Sequence, residues 1–161
     1  MIENPRPIIR PMRPQDAADI LAMARELAAA VDDPEPRLTQ AHLIRDGTGP
    51  ERWFECLVAE VAGHLVAYAL VCKGYEAHTA KRRLWLGDFY VRPDARRGGV
   101  GHALMTAVAR HARELGCDAV HWELWRLNST GEAFYRSLGA EEAVDLKVMR
   151  LDRDRLAGLA P

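Results

Sequence analysis

The sequence predicts a mixed α/β fold built around one sheet, and three features predict it. Two apolar segments of strand-like composition, 54–61 and 64–72, are joined by Ala62-Gly63, a pair typical of a hairpin turn. A third apolar segment, 84–91, leads through a glycine-rich turn into a stretch with helical spacing. Antiparallel strands that are followed by β-α-β crossovers belong to the mixed α/β class.

The elements before the hairpin are a short strand and two helices. Prolines bound the strand 7–11, as at the edge of a sheet. A helix follows Pro14, and its apolar face comprises Ile20, Leu21, Ala24, Leu27 and Ala28. A loop over 31–36 interrupts the helical pattern with two prolines and two aspartates. Thr39 is predicted to cap a second, short helix that ends at Gly47.

After the hairpin, the sequence predicts strands and helices in alternation. Polar residues over 73–83, ending in Lys81-Arg82-Arg83, predict a loop before the strand 84–91. The helix after the glycine-rich turn is predicted to stop at Gly116. Three further elements are expected, a strand over 119–124, a helix over 128–138 and a final strand over 148–151.

The composition is that of one globular domain, expected to span 1–161 with its core at about 8–156. The formal net charge is −1, so no nucleic-acid partner is expected. No segment has the character of a leader or a membrane span, so no membrane association is expected. Cys56, Cys72 and Cys117 lack ligand or disulfide spacing, which favours core positions in a reducing cytoplasm. No metal is expected, because the six histidines show no ligand spacing either.

The glycine-rich turn 96–101 has the features of an anion site. It stands between a strand and the start of a helix, where bare N–H groups and the helix dipole favour negative charge. Its glycines remove side chains that would hold a phosphate away from the backbone. A Walker loop is excluded because Gly101 is followed by His102 and Ala103 rather than by lysine and a hydroxyl residue. A dinucleotide fingerprint would need a third glycine at Leu104.

The segment Arg96-Arg97-Gly98-Gly99-Val100-Gly101 resembles the pyrophosphate loop of the GNAT N-acetyltransferases, Arg/Gln-x-x-Gly-x-Gly/Ala. Downstream, Asn128, Tyr135 and Gly139-Ala140 follow the spacing of the second half of a GNAT domain. Stretches around 38–47, 56–61 and 134–140 resemble the diamine (spermidine/spermine) N-acetyltransferase branch. The resemblance runs from about residue 8 to about residue 156. It implies the GNAT-like acyl-CoA N-acyltransferase fold, with a mixed sheet of about six to seven strands flanked by about four helices.

The resemblance implies an enzyme that uses acetyl-CoA as co-substrate. The pyrophosphate would lie on the turn, and the pantetheine arm on the backbone of the preceding strand and on Asn128. The implied cofactor-binding residues are Phe89, Tyr90, Val91, Arg96, Arg97, Gly98, Gly99, Val100, Gly101, Asn128 and Tyr135. A backbone N–H near Phe89 or Tyr90 would polarise the thioester carbonyl. Tyr135 matches the family's general acid, which protonates the departing thiolate.

Each of these roles has a plainer structural alternative. Tyr135 could be a core tyrosine beside Phe134, and Asn128 could cap a helix instead of, or as well as, binding the cofactor. Arg96 and Arg97 could belong to a solvated turn. None of these alternatives is decided by the sequence.

The chain departs from the diamine branch at one position. Where that branch has Leu-Glu-Asp, this chain has Leu86-Gly87-Asp88, so the glutamate that helps to accept the amine proton is missing. Asp88 is the first choice for the base, with Glu123 or a chain of waters as alternatives. Gly87 could also ease a bulge in the strand or open space for a larger substrate. Polyamine specificity is therefore open.

The acceptor is expected to be a small primary amine, such as a polyamine or a lysine-like amine including thialysine. Acidic rims attract cationic substrates, and the residues that could form one are Asp32, Asp33, Glu35, Glu76, His78 and Glu123. A solvated loop is the plainer interpretation. Two other functions are considered, acetylation of a protein N-terminus or lysine and an acyl-CoA-binding sensor without activity. The branch resemblance further implies a homodimer.

Overall fold

The computed structural model describes residues 5–33 and 37–159. The described residues of Met1–Trp125 form one compact unit, and those of Arg126–Pro161 form a second. The first unit contains the whole sheet and three helices, and the second contains two helices. The single domain expected from the sequence stays a prediction.

The sheet has five strands among the described residues, and their spatial order follows the chain. They are β1 (Ile8–Pro11), β2 (Glu55–Val61), β3 (His64–Glu76), β4 (Lys81–Val91) and β5 (Ala119–His121). Strands β1 to β4 pair antiparallel, and β5 runs parallel to β4. The predicted β2–β3 hairpin is confirmed. Its turn places Ala62 and Gly63 at φ angles of 51° and 82°, the left-handed pair of a tight hairpin.

The prediction of a loop over 73–83 is wrong. These residues extend β3 and β4 into a ribbon in which Glu76 pairs with Lys81, and only the turn 77–80 lies between the strands. Both faces of this end of the ribbon are largely exposed. Its polar composition therefore reflects solvent on both sides and not the absence of a ladder.

Three helices cover the two faces of the sheet. Helices α1 (Ala17–Ala30) and α2 (Gln40–Thr48) bury apolar residues against one face, where Val58, Tyr68 and Tyr90 lie. Helix α3 (Val100–Glu114) packs on the other face, against Ala69, Val71, Leu84 and Leu86 among others. Thr39 caps α2 as predicted, since its Oγ1 accepts from the His42 N–H at 3.2 Å. Gly116, at φ 69°, follows the end of α3 as predicted.

The second unit consists of α4 (Ser129–Ser137), α5 (Arg153–Leu159) and irregular chain between them. The predicted final strand over 148–151 is wrong, because a strand needs a ladder partner and no described residue pairs there. Val148 and Met149 are 69% and 87% exposed. The strand predicted over 119–124 ends at His121, where pairing with β4 stops. The described sheet thus has five strands instead of six to seven, with five α-helices instead of four.

Candidate active site

A β-bulge in β4 shapes the centre of the sheet. Asp88 pairs with Leu70, but the next pair is Leu86 with Val71, so Gly87 is an extra residue without a partner. The bulge reverses the alternation of side chains along the strand. Leu86 faces α3 before the bulge and Phe89 does so after it. Asp88 is consequently turned to the opposite face, where Tyr68 and Tyr90 lie.

A side chain at position 87 would have to displace one neighbouring side chain, that of Leu70. A Cβ placed there would lie 3.3 Å from Cδ2 of Leu70, and the φ angle of Gly87 is outside the left-handed region. The position is exposed. The glycine thus lies exposed beside Asp88 without being required by backbone strain.

The edge of β4 next to the bulge has no neighbouring strand among the described residues. Strand β5 pairs with β4 only from Arg83 to Trp85, and no strand of the described ranges pairs with 86–91 on that side. The predicted backbone contacts of Phe89, Tyr90 and Val91 fall on this segment. A strand edge that has no neighbouring strand can bind an extended ligand through alternate backbone groups.

Asp88 is hydrogen-bonded to a core tyrosine. The hydroxyl of Tyr68, which is 1% exposed, donates to Oδ2 of Asp88 at 2.9 Å. Burial raises the pKa of Asp88, and the hydrogen bond from Tyr68 opposes that rise. Burial, together with the nearby Asp88 charge, raises the pKa of the Cys56 thiol to about 12. The site around Asp88 is therefore weakly solvated and holds a carboxylate that protonates more easily than usual.

The glycine-rich turn presents a continuous row of backbone donors. Arg97 and Gly99 have φ angles of 63° and 81°, and Gly99 is the N-cap of α3. Among the described residues, the N–H groups of 97–102 donate to no protein acceptor. Most residues of the turn are exposed. Successive free amides around left-handed residues at a helix start form the kind of concavity that binds phosphate, so the turn fits a pyrophosphate.

The two arginines of the turn differ. Arg96 folds back on the end of β4, where its Nε donates to the Val91 carbonyl at 2.8 Å and its guanidinium lies 5.7 Å from the Tyr90 ring centre. Arg97 is exposed and has no ion pair among the described residues. Arg97 is thus the better placed of the two to contact an anion in the turn.

Sequence reasoning missed Glu26 of α1. The Tyr90 hydroxyl donates to its Oε2 at 3.1 Å, and its Oε1 lies 3.4 Å from Nε of Arg92. Glu26 thereby ties α1 to the end of β4, immediately before the turn. In the sequence, Glu26 is marked only as a charged residue between apolar helix positions, which weakly indicates a specific contact. Its partners could not be predicted because they are more than sixty residues away along the chain.

The second unit holds the two remaining family positions. Oδ1 of Asn128 accepts from the Gly131 N–H at 2.8 Å, so Asn128 is the N-cap of α4. A Cβ at Gly131 would lie 2.5 Å from the Asn128 side-chain nitrogen, which explains the glycine there. Tyr135 packs edge-on to Phe134, with ring centres 5.2 Å apart, and burial raises its pKa to about 12.

Glu76, one candidate for an acidic rim, lies far from Asp88 along the sheet. Glu76 is bound by Arg83, Thr79 and His78 at the ribbon end. It stands six residues beyond Leu70, the partner of Asp88, which is about 20 Å along β3.

The other rim candidates lie elsewhere. Asp32 and Asp33 are exposed after α1, Glu123 follows the end of β5, and Glu35 lies outside the described residues. The structure therefore groups Gly87, Asp88 and Tyr68, and it places Glu76 and His78 at the far end of the ribbon.

Two of the three basic residues that begin β4 contact other parts of the chain. Nη1 of Arg82 donates to the Leu115 carbonyl at 3.1 Å, at the carboxyl end of α3. Arg83 pairs with Glu76, and Lys81 is exposed at the ribbon end. No described helix combines the length and the apolar character that a membrane crossing requires.

Comparison with known proteins places this geometry in context. The model of the Acetyltransferase (GNAT) family matches residues 19–140. A thialysine N-epsilon-acetyltransferase from Sus scrofa is 30% identical over 148 residues, 86% of either chain. The spermidine/spermine N(1)-acetyltransferase-like protein 1 from Homo sapiens is 32% identical over 94% of this chain and 23% of its own length. An integron cassette protein from V. cholerae shares the fold, with a TM-score of 0.78 at 20% identity over 96% of this chain and 97% of that one.

Proposed function

Because the chain belongs to the GNAT acetyltransferase family and is an N-acetyltransferase, we propose that it transfers an acetyl group from acetyl-CoA to the primary amine of a small molecule. The transfer proceeds by direct attack of the amine in a ternary complex. The observation that carries this proposal is the row of free amides over 97–102 beside the open edge of β4.

The turn holds the pyrophosphate in this proposal. Amides of Arg97, Gly98, Gly99, Val100 and Gly101 donate to its oxygens, and the side chain of Arg97 adds a charge-assisted contact. The open edge of β4 over 86–91 receives the pantetheine arm through backbone groups of Phe89 and Val91. Acetyl-CoA supplies the activated acetyl group, and the protein supplies its orientation and the proton transfers.

Three groups of the chain carry out the chemistry. Asp88 accepts the proton that the ammonium must lose before its nitrogen can form the new C–N bond. A backbone N–H near Phe89 or Tyr90 donates to the carbonyl oxygen as negative charge develops there. Tyr135 donates its proton to the sulfur as the C–S bond breaks, and the second proton that the nitrogen loses as the amide forms restores the phenol through solvent. Burial raises the pKa of Tyr135 to about 12, so the phenol is protonated at neutral pH.

The acceptor is a small amine of the lysine-like or polyamine kind. Relatives named for thialysine and for spermidine/spermine support this class. Gly87 supplies no second carboxylate beside Asp88, and one carboxylate at this point favours an amine with a single charge near the reacting nitrogen over a polycation. We therefore place lysine-like amines ahead of polyamines. The homodimer and the cytoplasmic location implied by the branch complete the proposal.

Two measurements test the proposal in sequence. Acetyl-CoA is expected to raise the melting temperature, and desulfo or dephospho analogues separate the contributions of the two ends of the ligand. Thiol release is then followed across a panel of thialysine, lysine, ornithine, putrescine and spermidine. Release with at least one amine, and more with the amino acids, is expected. An unchanged melting temperature with acetyl-CoA would overturn the cofactor assignment, and thiol release with none of the amines would overturn the acceptor class.

A further inference from the structure

Tyr68 makes the single polar contact that orients Asp88 among the described residues. Its ring is buried in the core beneath α1, and its hydroxyl donates to Oδ2 of Asp88 at 2.9 Å. The other carboxylate oxygen, Oδ1, accepts from no described residue and forms no ion pair with one. A buried hydroxyl needs a partner, so the bond fixes the tyrosine and the carboxylate together.

We infer that Tyr68 is a positioning residue for the acceptor amine, holding one oxygen of Asp88 so that the other is presented toward the incoming nitrogen. This inference rests on the proposed function, because it assigns Asp88 to the acceptor. The bulge at Gly87 is what makes the pairing possible, since without it Asp88 would face α3. Gly87 itself has no side chain that could hold the carboxylate in place.

The hydroxyl also keeps Asp88 available as a base. A hydrogen bond donated to a carboxylate favours its ionised form, and burial favours the neutral form. Loss of the Tyr68 hydroxyl therefore shifts Asp88 toward the neutral form, which cannot accept a proton. The acid limb of the pH–rate profile then moves to higher pH.

The surroundings of Asp88 offer no substitute for this bond. The titratable groups that face it are Cys56 from β2, Cys72 from β3 and, beyond Tyr68, Tyr90 of β4. From α1, Glu26 accepts a hydrogen bond from the Tyr90 hydroxyl. No described lysine or arginine forms an ion pair with Asp88. The pH response of the variant is thus assigned to the Tyr68–Asp88 pair.

Tyr68→Phe tests the inference, because it removes one oxygen and keeps the buried ring. We expect kcat to fall about tenfold at neutral pH, as for the loss of one charge-assisted hydrogen bond, with KM for acetyl-CoA unchanged. The acid limb moves to higher pH. Tyr75→Phe is the matched control on the same strand, since Tyr75 is 66% exposed, and it leaves kcat and the pH profile unchanged.

Two further measurements keep the inference separate from fold stability and from the proposed function. In an Asp88→Asn background, Tyr68→Phe is expected to have no additional effect on kcat. A ¹³C NMR titration of the Asp88 carboxyl gives a higher pKa in Tyr68→Phe than in the wild type, whether or not an acceptor has been found. An unchanged titration, or an unchanged pH profile with lower kcat, would overturn the inference. Absence of thiol release in the wild type would count against the proposed function alone.

Discussion

Replacing Gly98 by glutamate separates ligand binding from folding at the glycine-rich turn. A Cβ at Gly98 would meet only the Ala95 carbonyl, at 3.8 Å, and the φ angle of Gly98 is outside the left-handed region. The fold therefore does not need this glycine. Replacing glycine reduces the freedom of the unfolded chain, and a carboxylate near the start of α3 interacts favourably with the helix dipole. We expect the free energy of unfolding to rise by about 0.5 kcal/mol or to stay unchanged.

Acetyl-CoA binding is expected to change in the opposite direction. The new side chain occupies the space in front of the amides over 97–102 and repels the pyrophosphate. Loss of two amide–phosphate hydrogen bonds at roughly 1.5 kcal/mol each gives about 3 kcal/mol, or a Kd about 150 times higher. The arginine beside it, Arg97, is unaltered, so any residual binding reports the remaining contacts.

Isothermal titration calorimetry with acetyl-CoA, together with thermal unfolding of the free protein, measures both effects. Gly74→Glu is the control, because Gly74 lies on β3, away from the turn, and a Cβ there would come no closer than 3.7 Å to its nearest neighbour, the Arg83 carbonyl oxygen. The control should bind acetyl-CoA like the wild type. A Gly98→Glu variant whose Kd for acetyl-CoA stays within threefold of the wild-type value would refute the assignment of the turn. A variant whose melting temperature falls well below that of the wild type would refute the claim that only ligand binding needs this glycine.

Three more outcomes follow from the geometry. Gly87→Glu displaces only the flexible end of Leu70, so the variant should fold. The added carboxylate should raise kcat/KM for spermidine relative to thialysine about tenfold, and Gly87→Ala is the control. An unchanged ratio of the two kcat/KM values contradicts this. Tyr135→Phe should lower kcat by about 10²–10⁴-fold, and a normal kcat refutes its role as acid. Asp16→Asn should cost about 3 kcal/mol of unfolding free energy in urea titrations, because buried Asp16 accepts from Arg10 at 2.7 Å and 3.1 Å. Burial raises the pKa of Asp16, but the hydrogen bonds from Arg10 oppose this rise, and the pKa stays below its usual value. The stability that Asp16 contributes is therefore present above about pH 4 and is lost as the pH falls. Equal unfolding free energies of wild type and variant at pH 7 would refute this.

Features that depend on neighbours in the chain were predictable from the sequence. Thr39 and Gly116 mark helix ends because a cap bonds within three residues and a left-handed stop needs only a glycine. The anion site at the turn 96–101 stays a prediction, but the backbone geometry on which it rests is local in the same way. Its free donors arise from the local order of strand, glycines and helix start.

Features that depend on register were not predictable. A segment becomes a strand only if a distant segment supplies a ladder partner. This partner exists for the ribbon over 73–83, and it is absent among the described residues for the strand wrongly predicted over 148–151. The same holds for Arg82, whose contact with the Leu115 carbonyl joins residues far apart in the chain. Composition does not encode such pairings.

The sequence by itself thus determined the family, the glycine-rich turn before α3 and the helix ends, all of which rest on motifs a few residues long. Only the tertiary structure decided which face of the sheet Asp88 occupies and that Tyr68 holds it there. The physical reason is the β-bulge at Gly87. One extra residue in β4 reverses the side-chain alternation that follows, and that residue is identified only by the pairing of β4 with β3.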